Sequence, residues 1–265
     1  MVDQDLRIAR PPDSAPTPPF VGRERELGDL KALYDRACLD TTGALAVVTG
    51  PAGVGKSRLL SELARRLRAQ GIPTLEGTCR DRGVAYQPFI ELAQAALSHL
   101  SDQGPGGERL ARAAEVVAAL RGQGGLFGAV RRGRRPSALQ LVRDGGDQRI
   151  HFFEQVRILL CDAARARPPV LVIHDAHLAD GATSQLLAYL ARTLAPAQGL
   201  VPDDDFTGLL LVSMEDGAAP AWTADVHATA VRLDALDLEA VRSYLSSEAV
   251  VRRFFETSGG VPRRL

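Results

Sequence analysis

The chain has 265 residues, 45% of them hydrophobic, which supplies a sizeable core for one large or two small domains and excludes collagen-like, coiled-coil and wholly disordered readings. Its 32 Lys plus Arg balance 32 Asp plus Glu, so it lacks the global positive field of a dedicated nucleic-acid binder, and any basic site must be local. Three cysteines, Cys38, Cys79 and Cys161, are odd in number and far apart, which fits neither a disulfide framework nor a CxxC metal clip. A reducing, cytoplasmic setting is expected, and no run of 18 apolar residues offers a membrane-spanning helix.

In chain order, the opening stretch carries Pro11, Pro12, Pro16, Pro18 and Pro19 and cannot hold a helix, so residues 1–18 are expected to be a flexible lead-in. Leu27, Leu30, Leu33 and Tyr34 predict an amphipathic helix over 24–39. The β-branched run 44–49 predicts a buried strand stopped by Gly50, and Leu59, Leu60, Leu63 and Leu67 predict a helix over 56–70. A strand over 72–79 and a helix over 89–100 follow. Residues 101–148 are rich in glycine, and between Arg121 and Arg143 they hold six arginines and no acid; a solvated, mobile insertion with short helical stretches is expected, a basic docking patch being the sharper alternative. Further helices are predicted over 150–166, 183–194, 238–244 and 249–257, and strands over 169–173, 208–212 and 228–233. Five strands alternating with helices argue for a mainly parallel α/β sheet covered on both faces.

The chemistry concentrates in Gly50-Pro51-Ala52-Gly53-Val54-Gly55-Lys56-Ser57, a complete GxxxxGKS between a predicted strand and a predicted helix. Glycines let successive backbone N–H groups wrap a phosphate, the helix N-terminus adds positive potential, Lys56 reaches the β and γ phosphates, and the Ser57 hydroxyl suits magnesium. Lys56 is one of two lysines in an arginine-rich chain, and a compact ammonium fits where a planar guanidinium would not. The partner acid is expected at the end of the apolar run Val170 to Ile173, where His174-Asp175 stands. A strand intervening before that acid is the arrangement of P-loop NTPases of the additional-strand division. His174, Asp175, His177 and Asp180 also invite a transition-metal reading, which the opposite facing of adjacent strand residues disfavours.

Five segments in order carry a resemblance: Phe20-Val21-Gly22-Arg23-Glu24-Arg25-Glu26-Leu27, the phosphate loop with the helix after it, Ala85-Tyr86-Gln87-Pro88-Phe89, the run from Val170 to Asp180, and Thr257-Ser258-Gly259-Gly260-Val261-Pro262. Together they resemble the landmarks of the STAND (Orc-like AAA) ATPases. The resemblance implies ATP or ADP with Mg2+ as ligands, Val21, Gly22 and Arg23 against the adenine, and Pro262 closing over the nucleotide. It also implies phosphate contacts along Gly50 to Arg58, magnesium on Ser57 and Asp175, and catalysis by Lys56, Asp175 and His174. The implied layout is a core over 19–234 with the 101–148 insertion and a helical subdomain over 235–265, truncated at its Gly-x-Pro. The implied function is a slowly hydrolysing nucleotide switch in a larger signalling or transcription regulator, coupled to a downstream effector and self-associating on ATP. The alternatives are a non-hydrolysing ATP-binding scaffold and a small-molecule kinase with a lid built from the arginines between 131 and 135. Direct nucleic-acid or membrane binding is not expected. Two departures stand out. Where the family carries two consecutive acids this chain has His174-Asp175, so one acid must serve magnesium and water alike or a role is lost, His174 being a poor base; where it carries an arginine or another polar γ-phosphate sensor this chain has Ser213-Met214-Glu215-Asp216, with Ser213 the one neutral and weak candidate.

Overall fold

The structure is a computed structural model that describes residues 20–81, 84–102, 107–129, 138–165, 167–195, 206–217, 222–223, 226–244, 255–256, 258–259 and 261. The lead-in, residues 249–254 and 257 of the helix predicted over 249–257, Pro262 and the arginines between 131 and 135 therefore lie outside the described residues. In chain order the elements are α1 (Glu24–Leu39), β1 (Gly43–Thr49), α2 (Lys56–Ala69), β2 (Thr74–Thr78), α3 (Gln87–Asp102), α4 (Gly107–Ala129) and α5 (Ala138–Ala164). They continue with β3 (Val170–His174), a 3-10 turn (Ala176–Leu178), α6 (Gly181–Leu194), β4 (Gly208–Ser213), β5 (Thr229–Arg232) and α7 (Leu238–Tyr244).

All five strands run parallel in the order β2-β3-β4-β1-β5. β4 thus separates β1, which feeds the phosphate loop, from β3, which ends in the acid, and this is the additional-strand P-loop NTPase fold expected from the sequence. The register pairs Val48 with Ser213 and Ile173 with Val212, which brings the C-terminal ends of β1, β4 and β3 level with one another. Ligands of open parallel sheets bind at such ends.

Burial on both faces explains the continuous apolar runs of β3 and β4, every residue of which is buried. Alternate residues feed two separate cores. Val170 and Val172 join Leu209, Leu211, Val48 and the apolar stripes of α1 and α2, among them Leu30, Leu59, Leu63 and Leu67. Leu171 and Ile173 join Leu210, Val212 and the faces of α3, α5 and α6, including Phe89, Leu159, Leu160 and Leu186. The period of two in a strand thereby sews both helical layers to one sheet.

The segment 101–148 differs from its expectation. Residues 107–129 form one 23-residue helix instead of short stretches, and α5 begins at Ala138 instead of Ile150. Ala113, Val116, Val117 and Leu120 sit at helical spacing and are buried in the core beside α3. Burying such a stripe outweighs the roughly 1 kcal/mol that each interior glycine costs a helix. Arg112 from α4 and Arg165, just past the end of α5, both approach the buried carboxylate of Asp162 on α5, at 3.3 and 3.5 Å. Among the described residues no helix is long and apolar enough to cross a membrane.

Candidate nucleotide site

β1 delivers the chain to Gly50, whose positive φ of 153° and close neighbour, the Leu233 carbonyl oxygen 2.5 Å from where a Cβ would stand, exclude any side chain. The loop closes through Val54, whose N–H donates to Pro51 O at 3.3 Å and whose side chain is buried in the α1/α2 core. Gly55 at φ 106° then turns the chain into α2, and no side chain caps that N-terminus and no acid occupies its first turn. Its backbone donors and the helix dipole are left to face a ligand.

Lys56 is 6% exposed, and its ammonium donates to Gly50 O and Pro51 O at 2.9 Å each. The lysine therefore bridges the mouth of its own loop. Gly53, Gly55, Lys56, Ser57 and Arg58 line a cavity of about 340 Å³ together with Asp175, His177, Leu178 and Glu215. Pro51 and Ala52 are exposed on the loop.

Asp175 follows β3 in a left-handed conformation, φ 54° and ψ 45°, and its N–H donates to the hydroxyl of Ser213 at 3.0 Å. That bond joins the ends of β3 and β4. Met214 N–H donates to Val48 O at 3.0 Å and Asp216 N–H to Gly50 O at 3.3 Å, so the residues flanking Glu215 are pinned to the strand and loop that hold the phosphate site. The Glu215 carboxylate reaches His177 Nε2 at 3.7 Å, inside ion-pair range and long for a hydrogen bond. His177 Nδ1 is buried without a hydrogen-bond partner among the described residues.

His174 does not line this cavity. Its imidazole, 7% exposed, donates from Nε2 to the Glu76 carboxylate on β2 at 3.0 Å, and Arg68 from α2 pairs with the same carboxylate. The His174 hydrogen bond first, then Arg68, hold the Glu76 carboxyl below its ordinary range despite burial. The Nε2 of His174 thus ties β3 to β2 and α2, its buried Nδ1 has no hydrogen-bond partner among the described residues, and the ring stands outside the cavity where its water-orienting role was expected.

Arg23 is likewise occupied, donating to Glu26 at 2.9 Å and to the Asp234 carbonyl, which fastens the entry of α1 to the chain beyond β5. Val21 and Gly22 line a second, open cavity of about 480 Å³ with Glu24, Arg25, Glu26, Asp237 and Glu239. Cys79 is buried and its thiol is pushed up to about 12, mainly by desolvation, so it behaves as a small apolar residue. The residues that sequence reasoning left out of the site are Glu215 and His177. Glu215 was in view only as a missing arginine, and the signal that it faces the phosphate loop lies in the strand order.

Among the described residues no cluster of three His, Cys, Asp or Glu side chains is arranged to grip a metal unaided. The Ser57 hydroxyl and the Asp175 carboxylate offer hard oxygen donors, which fit magnesium, a cation that takes one or two protein ligands and completes its shell with phosphate and water.

A glycine loop on a helix N-terminus, a lysine inside it and an acid at the end of a non-adjacent strand define a P-loop NTPase of the additional-strand type. The family model described as AAA ATPase domain matches residues 19–201, and the chain belongs to that family. An uncharacterized protein of Rhizobium meliloti (strain 1021) is 28% identical over 264 residues, a match covering 92% of this chain and 24% of that protein. The chain spans about a quarter of the length of this curated relative. Among solved structures, the chain is similar to the Aeropyrum pernix ORC1 protein in complex with DNA, with TM-score 0.50 and 13% identity over 94% of this chain and 58% of that one. It is equally similar to Drosophila ORC bound to DNA, with TM-score 0.50 and 12% identity, covering 100% of this chain and 62% of that one. At such identities the likeness concerns the fold alone.

Proposed function

We propose that this chain is the ATP-binding switch module of a larger regulator of the STAND type, which hydrolyses ATP slowly and passes its nucleotide state to an effector. The observation that carries the reading is the single cavity lined by Lys56, Ser57 and Asp175 at the level ends of β1, β4 and β3. Lys56 would exchange the Gly50 and Pro51 carbonyls for the β and γ phosphates, α2's first N–H groups would hold the α and β phosphates, and Ser57 with Asp175 would hold magnesium, which neutralises phosphate charge. Val21 and Gly22 would take the adenine, with Arg23 fixing that segment through Glu26 and Asp234. The five ordered sequence landmarks support the STAND subtype, and the short share of the relative supports a longer protein with an effector. The proposed division is a core over 19–234 followed by a helical subdomain over 235–265 that closes on the nucleotide through Pro262 and changes its packing between ATP and ADP.

Titration calorimetry with ATP and magnesium tests the site. Lys56→Ala should weaken binding by roughly 2 to 4 kcal/mol, about thirtyfold to a thousandfold, because a charge-assisted phosphate contact in a secluded loop is lost. Equal affinity of mutant and parent overturns the reading. One observation favours a non-hydrolysing scaffold: His174 is held by Glu76, which removes it from the reacting end of the cavity. Phosphate release from radiolabelled ATP separates the two.

A further inference from the structure

The geometry points to Glu215 as the residue that orients the attacking water on the γ-phosphate, a role the sequence pattern would have placed beside Asp175. The inference rests on the nucleotide reading above and adds to it a catalytic residue from just beyond the end of a different strand, β4.

Four observations converge on Glu215. It lines the same cavity as Lys56, Ser57 and Asp175. It follows β4, which lies between the strand of the phosphate loop and the strand of the acid, so its side chain departs from the gap between them. Its backbone is clamped on both sides, through Met214 to Val48 and through Asp216 to Gly50, which holds it at the start of the loop. Finally, its carboxylate is lightly held: the side chain is 43% exposed, and among the described residues it pairs with His177 at 3.7 Å, close enough to limit its rotamers and too long to consume its lone pairs. His174 offers no competitor, since its ring belongs to Glu76.

In the hydrolytic step a lone pair of the water oxygen forms the bond to the γ-phosphorus. The bond from phosphorus to the β–γ bridging oxygen breaks, its electron pair leaves on ADP, and the water proton passes to the Glu215 carboxylate. Hydrolysis of this kind is limited by positioning and charge. A bare carboxylate near the γ-phosphate would repel it, and a water held between the two relieves that repulsion; removing the charge should therefore leave ATP binding intact or tighten it.

The test measures phosphate release and, separately, ATP affinity by calorimetry, on the parent chain, Glu215→Gln and Asp216→Asn, with melting curves to verify folding. Glu215→Gln should lower phosphate release by about a hundredfold, within the range of positioned proton acceptors, and keep ATP affinity within about threefold of the parent or tighten it. Asp216→Asn, a change at an exposed neighbour outside the cavity, should leave the rate unchanged. A rate in Glu215→Gln equal to the parent's overturns the inference, as does an equal loss in Asp216→Asn. A parent that binds ATP and releases no phosphate overturns it while the nucleotide site stands, whereas a parent that binds no ATP overturns the nucleotide reading itself.

Discussion

Replacing His174 by Asp would complete the two-acid pattern on paper, and the structure gives a different outcome. The substitution removes the hydrogen bond from Nε2 to Glu76, worth about 1 to 3 kcal/mol to a charged acceptor, and brings a second carboxylate against the first in a site only 7% exposed. At a separation of about 5 Å and an effective dielectric of about 20, two carboxylates repel by about 3 kcal/mol, a cost that Arg68 and side-chain relaxation offset in part. A net loss of about 2 to 4 kcal/mol follows, and at about 2 to 4 °C per kcal/mol the melting temperature should fall by about 5 to 15 °C. His174→Gln, which keeps a donor, should lose under about 1 kcal/mol. The penalty on His174→Asp should also shrink as pH falls and the two acids take up protons. Thermal melts of the three proteins, with phosphate release measured alongside, decide the matter. An unchanged melting temperature together with about tenfold faster turnover would refute the structural assignment of His174 and return it to the reacting centre.

Two further outcomes are expected. Hydrogen bonds from Arg65 and then Arg66 lower the Glu62 carboxyl to about 2, below its unfolded value, so its stabilisation is complete above about pH 4 to 5 and is lost as pH falls towards 2. Melting curves should show the parent losing more stability than Glu62→Gln between about pH 5 and 2.5, and parallel losses would contradict this. At Gly77 a Cβ would stand 2.2 Å from the Pro88 carbonyl oxygen, so Gly77→Ala should force β2 from α3 and lower the urea midpoint by the equivalent of about 1 to 3 kcal/mol. Gly28→Ala, on an exposed helix face with nothing within 4 Å, should gain up to about 1 kcal/mol, and a shared sign would discredit the packing argument.

The phosphate loop was readable because its chemistry is local. Six residues between a strand and a helix, with the lysine and serine that open the helix, must supply positive φ, bare N–H groups and one ammonium, and few sequences meet all three demands. Strand composition was equally plain, since β3 is apolar from Val170 to Ile173 and β4 from Leu209 to Val212. Helix α4 was harder to read. Its glycines argue against a helix locally, whereas the decisive term is the burial of Ala113, Val116, Val117 and Leu120 against α3, a contact between segments that spacing alone cannot weigh. The fate of His174 also depended on a non-local pairing, the register of β2 with β3 that sets Thr78 opposite His174 and brings Glu76 within reach. Glu215 joined the site for the same kind of reason, because nothing near it in sequence records that β4 enters between β1 and β3.

Asp175 shows how the fold keeps an acid at the phosphate loop when its neighbour in sequence serves the sheet. Strict alternation would set the side chains of 174 and 175 on opposite faces and leave no choice of angle for the second. The chain breaks alternation at once: Asp175 takes φ 54°, a region that costs a residue with a Cβ about 1 to 2 kcal/mol. The Ser213 hydroxyl, fully buried, accepts the Asp175 N–H and offsets that strain with a hydrogen bond worth about 1 kcal/mol. Leu178 N–H then donates to Asp175 O at 2.9 Å and starts the 3-10 turn that carries His177 to Glu215. Ser213 occupies the place where a sensor would be sought, and its bond to Asp175 gives it a second use: it sets the acid of β3 from the end of β4. With Glu215 two residues beyond the end of that strand, both carboxylates of the cavity are positioned by β4, the strand whose insertion distinguishes this class of sheet.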